Sequence, residues 1–224
     1  MHKTTILTVP EAVSIQKKLA EKVICDNQYE KVDFIAGADI SNNPFNPESP
    51  LYAAIIVLSY PDLNIVEQKF YSEVVSFPYI PGLLAFREAP VIIKALEKLE
   101  NKPDIIIADG HGIAHPRRLG IASHIGVLTG CPSIGCAKSL LVGKPESSLP
   151  LQKGSFVNLI WQKQIIGRVL RTKNNVKPVY VSSGHKIALE TASEIVFNCT
   201  KNYRVPEPLR LAHNYANFVR KNAV

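Results

Sequence analysis

Apolar positions fall into two patterns along the 224 residues. Short, nearly unbroken apolar runs predict strands buried on both faces, and stretches where apolar positions recur every three or four residues predict helices with one inner side. In chain order this gives a helix over 10–24, with Ala12, Ile15, Leu19 and Val23 inward, then a strand over 32–40. Residues 41–50, rich in proline and asparagine, form a loop. Residues 51–60 and 64–75 form an antiparallel hairpin turning at Pro61-Asp62-Leu63. After an irregular stretch over 76–84 comes a helix over 84–99, in which Pro90 allows only a beginning or a kink. A strand over 104–108, a glycine-rich turn and a helix over about 116–128 follow. A short strand at 133–137 leads through a loop at 143–150 to a second hairpin, 156–161 with 164–170. A strand at 179–182, a helix at 187–198 and a last helix opened by Pro206-Glu207-Pro208 complete the chain. With no repeat and no linker, one α/β domain over 1–224 is expected.

Two strand runs end in an aspartate, Asp39 and Asp109. The order of hairpin, helix, strand, helix and strand resembles a ribonuclease H-like mixed β-sheet flanked by helices. There the first and fourth strands lie parallel and adjacent, bringing Asp39 and Asp109 together, and Glu88 on the intervening helix is a third oxygen donor. Clustered carboxylates repel unless a cation lies between them, which favours a hard divalent ion, Mg²⁺ or Mn²⁺. The matching chemistry is in-line attack of a metal-bound water on phosphorus. One aspartate at a strand end is commonly only a turn former or helix cap. Two on matching strands shift the balance toward a site.

Gly110 and Gly112 bracket His111, allowing a sharp turn and a close approach to a ligand. Pro116 suits a first helical position, and Arg117 and Arg118 in that first turn oppose the helix dipole unless an anion is held there. His111 and His115 stand four apart, but nothing completes a tetrahedral zinc site. Lys138 follows a strand and is placed to contact phosphate or orient a water. Pro78 and Pro81 stiffen the loop that presents Tyr79 and Ile80.

Composition narrows the class. Apolar residues make up 46% and charged residues 20%, which excludes general disorder. No apolar run is long enough to span a membrane, and Met1 to Thr5 lack a signal peptide's apolar core. The four cysteines form no Cys-x-x-Cys pair, so a reduced cytoplasmic protein is expected. The net charge of +7 is unevenly spread: residues 1–110 hold 10 Lys/Arg against 15 Asp/Glu, and residues 111–224 hold 16 against 4. A polyanion held by the second half fits this division; the plainer alternative is a solubilising basic surface.

The segments Ala36-Gly37-Ala38-Asp39, Pro78-Tyr79-Ile80-Pro81-Gly82 with Phe86-Arg87-Glu88, and Asp109-Gly110-His111-Gly112 with His115-Pro116-Arg117-Arg118-Leu119-Gly120 closely resemble endonuclease V. Ala122-Ser123-His124, Gly135 with Ala137-Lys138, Ser183-Gly184-His185 and Tyr203-Arg204-Val205-Pro206-Glu207-Pro208 extend the resemblance over nearly the whole chain. It implies a DNA repair nuclease that recognises deoxyinosine and other deaminated bases and hydrolyses the second phosphodiester bond 3′ to the lesion. It also implies 3′-hydroxyl and 5′-phosphate ends and a requirement for Mg²⁺ or Mn²⁺; apart from the resemblance, a monomer is expected. By position it makes Asp39, Glu88 and Asp109 the metal-binding and catalytic carboxylates, with Lys138 and His213 beside them. Tyr79 becomes a strand-separating wedge within Pro78, Ile80, Pro81 and Gly82; His115 and Arg117, read from the glycine-rich turn and its basic residues, are further candidate DNA contacts. Two alternatives stay open: inosine in single-stranded RNA as the substrate, and a nucleic-acid-binding module without catalysis.

Overall fold

The computed structural model describes residues 7–43, 45, 46 and 48–223. The expectation for Met1 to Thr5, and the share of Pro44 and Pro47 in the 41–50 loop, lie outside the described residues. Among the described residues nine strands join one mixed sheet in the order β3-β2-β1-β4-β5-β9-β8-β7-β6. At its centre β1 (Phe34–Ser41), β4 (Ile105–Ala108) and β5 (Ser133–Ala137) run parallel, as the ribonuclease H-like arrangement requires. Antiparallel strands flank them: β2 (Leu51–Ser59) and β3 (Ile65–Glu73) on one side, β9 (Val179–His185), β8 (Gln164–Leu170) and β7 (Phe156–Trp161) on the other. The 143–150 loop contributes a two-residue edge strand, β6 (Lys144–Pro145), which the pattern did not signal.

The continuous apolar runs are explained by helices on both faces. Ile35, Ile105, Ile107 and Ile134 face one core with α4 (Leu189–Asn198) and α5 (Glu207–Asn222). Ala36, Ala38, Ile106 and Ala108 face the other with α2 (Leu84–Glu97) and α3 (Ile121–Thr129). Gly37 sets how closely α5 lies on β1, because a Cβ there would stand 2.1 Å from the Pro208 carbonyl oxygen. Pro90 lies inside α2, which runs on past it.

Two helices differ from their patterns. The helix over 116–128 begins only at Ile121, capped by Gly120. Residues 112–120 direct their backbone hydrogen bonds elsewhere: Ile113 N–H to the Ser183 carbonyl, Gly120 N–H to Gly112, and Arg118, at φ +58°, to His115. Arg117 and Arg118 therefore lie in a turn ahead of the helix, so neither opposes the dipole from a first helical turn. The first helix, α1, spans Val9–Ala20, and its buried positions are Ala12 and Gln16, whereas Ile15 is exposed.

Candidate active site

Alternation along β1 and β4 decides the geometry. Ala38 pairs with Ala108 in parallel register, so the next residues, Asp39 inside β1 two residues before its end and Asp109 just past the end of β4, stand side by side. Both carboxylates, with His213 from α5, offer ligand atoms all within 4.8 Å of one another. His213 Nδ1 lies 2.7 Å from Asp39 Oδ2, and Lys138, at the end of β5, ion-pairs with Asp109. Glu88 comes from α2 on the opposite face. It stands outside that 4.8 Å group but lines the same cavity of about 160 Å³ as Asp39 and Asp109.

The electrostatics are those of an anionic cluster short of cations. Burial, then the Asp109 charge, raises the Asp39 carboxyl above its ordinary range. Burial, then Asp39 and Asp109, pushes Glu88 up to about 8. For Lys138 burial opposes the charge, but the Asp109 and Asp39 carboxylates outweigh it and raise the ammonium. Two hard oxygen donors on one face and a third carboxyl across the cavity fit Mg²⁺ or Mn²⁺, whose charge relieves this repulsion.

A supporting chain holds His213, and the residue pattern did not single it out. Asn217, one turn further along α5, lies 3.1 Å from His213 Nε2 through Nδ2, while its Oδ1 accepts from the Ser41 hydroxyl at 2.8 Å. Arg220 Nε donates to that same hydroxyl at 2.7 Å. An amide donor at Nε2 leaves the ring proton on Nδ1, pointed at Asp39.

Beside the carboxylates lies a second cavity of about 360 Å³, within the size range of small-ligand sites. It is lined by Tyr79, Pro81, Gly82, Gly110 and His115, and shares Leu84, Glu88, Asp109 and Ile121 with the first. Tyr79 stands 71% exposed at the tip of its loop. His115 is buried and held neutral, its pKa lowered to about 4 by burial and then by Arg117. Arg117 donates to the Gly82 carbonyl at 2.7 Å and to the Gln16 side chain. Gly112 approaches its own β9 backbone: a Cβ there would lie 2.0 Å from the Ser183 carbonyl oxygen. His111 pairs through Nε2 with the Ser139 carbonyl at 3.1 Å. Neither His111 nor His115 enters a metal-binding group among the described residues. A larger cavity, about 740 Å³, opens at the opposite strand ends beside Tyr29, Asp104 and Cys131, away from the carboxylates.

The family model for Endonuclease V matches residues 17–214, which takes in Asp39, Glu88, Asp109, Lys138 and His213. The chain belongs to the endonuclease V family. The Endonuclease V of Trichormus variabilis is 53% identical over 94% of this chain and 95% of its own length. The solved Streptomyces avermitilis Endonuclease V superposes with a TM-score of 0.90 at 38% identity, covering 96% of this chain and 94% of its own. The Ciona intestinalis Endonuclease V, solved in complex with a 24mer DNA containing an inosine followed by a ribo-adenosine, superposes at 0.85 with 31% identity, covering 96% and 99%. Among the described residues no helix is long and apolar enough to cross a membrane.

Proposed function

We propose that the protein is a metal-dependent endonuclease that recognises deoxyinosine in DNA. It hydrolyses the second phosphodiester bond 3′ to the lesion and leaves 3′-hydroxyl and 5′-phosphate ends. The observation that carries this reading is adjacency: the carboxylate cavity and the cavity under the exposed Tyr79 share the Glu88 and Asp109 walls. One cavity is suited to a base and the other to the backbone that follows it. The Ciona relative's inosine-containing DNA supports the choice of lesion.

In this reading the Tyr79 tip enters the base stack, and the cost of unstacking is lowest where a deaminated base pairs poorly. The extruded base lodges among Gly82, Gly110 and His115, and the strand continues past Asp39 and Asp109. The chemistry that a Mg²⁺ or Mn²⁺ held by Asp39 and Asp109, with Glu88 or His213 at the rim, supplies is charge neutralisation at the phosphate and activation of a water. Lys138 sets a positive charge beside the phosphate. His213 holds a proton at Nδ1 within reach of the site, and Asp39 fixes its ring. The basic second half of the chain holds the polyanion against this acidic centre.

Oligonucleotides carrying one inosine, incubated with and without Mg²⁺, test the reading: nicking is expected only at inosine and only with the ion. Nicking unaffected by chelator would contradict it. Inosine-containing RNA is a second reading, favoured by the ribo-adenosine following the inosine in the Ciona complex. Side-by-side cleavage of matched DNA and RNA strands separates the two.

A further inference from the structure

Gln16 is the polar side chain at a fully buried position of α1, with no exposed surface. Its hydrogen-bonding capacity is almost wholly used. Nε2 donates to the Gly82 carbonyl at 3.0 Å and to the Leu119 carbonyl at 2.9 Å, and Oε1 accepts from Arg117 Nε. Arg117 Nη2 donates to the same Gly82 oxygen, and the His115 ring also hydrogen-bonds the Gly82 backbone. Three segments distant in sequence meet on this one amide: the first helix, the Pro78–Gly82 loop and the 112–120 turn. At the other end of the loop, Arg87 Nη1 donates to the Phe77 carbonyl at 2.8 Å. Phe77 and Leu83 are buried with Ala12 of α1. The loop is therefore anchored at both ends with Tyr79 exposed between them. Gly82 itself is at φ +79°, and a Cβ there would meet Arg117 Nη2 at 2.7 Å.

We infer that Gln16 is a positioning residue for strand separation at the lesion: with Arg117 it locks the Gly82 carbonyl, so that Tyr79 meets the duplex on a rigid loop. No other side chain of this length offers two donors and an acceptor in one plane. Glutamate would set a carboxylate against two carbonyl oxygens, and leucine or methionine would strand the Leu119 carbonyl and Arg117 Nε. Arg117 then acts through the loop rather than on phosphate. The inference rests on the nuclease reading above.

The test compares Gln16→Leu with wild type on inosine in a duplex and in a single strand, where no partner strand has to be separated. Nicking of the inosine duplex by wild type checks the underlying reading, and its absence overturns both claims. Given that nicking, the variant is expected to lose about tenfold in kcat/KM on the duplex and less than about twofold on the single strand, the scale of an uncompensated buried hydrogen bond. Amide exchange should accelerate in 77–83 and 112–120 but not in β1. Arg117→Leu should show the same split, add little to Gln16→Leu, and leave the salt dependence of DNA binding unchanged, whereas loss of a phosphate contact reduces that slope. Equal losses on both substrates, no loss on either, or a reduced salt slope for Arg117→Leu would overturn the inference. Should Gln16→Leu not fold, Gln16→Met and Arg117→Lys, which loses the Nε bond, are read by the same ratio.

Discussion

Asp39 and Asp109 stand side by side on adjacent parallel strands, yet their partners differ: His213 meets the first and Lys138 the second. Asp109→Asn keeps the shape and removes the charge that Lys138 and the cavity are built around. Its Mg²⁺-dependent nicking is expected to fall by about a hundredfold or more, past the usual cost of losing an outer group, with circular dichroism unchanged. Tyr79→Ala is expected to narrow discrimination between inosine and adenine sites by about tenfold, measured on paired duplexes; unchanged discrimination removes the wedge role. The two aspartates were legible as candidates in the sequence because their signal is local, a carboxylate closing an apolar run. Tyr79 as a wedge came only from the resemblance to endonuclease V, since a tyrosine on a proline-stiffened loop otherwise reads as a packed aromatic. Asn217 and Gln16 were not legible, because their partners lie far away in the chain. A glutamine on an inner helix face looks like a break in the pattern until Gly82 and Leu119 are seen against it.

At the scale of elements, register decided what periodicity alone did not. The runs ending at Asp39 and Asp109 were readable as strands, and the ribonuclease H-like order made them parallel neighbours, as they are. The turn through Arg117 and Arg118 was not readable, since Pro116 followed by Arg117, Arg118 and Leu119 suits a helix start as well as a tertiary loop pinned to β9. The seat of α5 depends on Gly37, whose missing Cβ admits the Pro208 carbonyl. Gly37→Ala is expected to destabilise by about 2 to 4 kcal/mol, seen as a lower Tm. The same variant should move His213 away from Asp39 and lose activity even where it remains folded, which activity below the melting range checks.

Across the whole molecule, burial has set opposing titrations into one fold. Glu88 is raised from 4.5 to about 8, so the stability linked to its proton is present below 4.5 and is lost as pH rises through 8. His115 and His124 are lowered from 6.5 to about 4, so their share is present above 6.5 and is lost as pH falls through 4. The ion-free protein should therefore be most stable near pH 6.5 and lose up to about 2 kcal/mol by pH 8. Mg²⁺ should restore that loss and raise Tm more at pH 8 than at pH 6.5, and Glu88→Gln should flatten the alkaline limb. A thermal melt series across pH with and without the ion reads all three. The acidic cluster is what a bound cation is expected to settle, and the basic second half is expected to bring a polyanion to it.

The most direct test of the central claim maps the cut on a duplex carrying a single deoxyinosine, at nucleotide resolution, with Mg²⁺ and with chelator. One nick is expected, at the second phosphodiester bond 3′ to the inosine, with a 3′-hydroxyl and a 5′-phosphate, absent in chelator and absent from Asp109→Asn. An uncut duplex, a cut at unmodified sites, or full nicking by Asp109→Asn would contradict it.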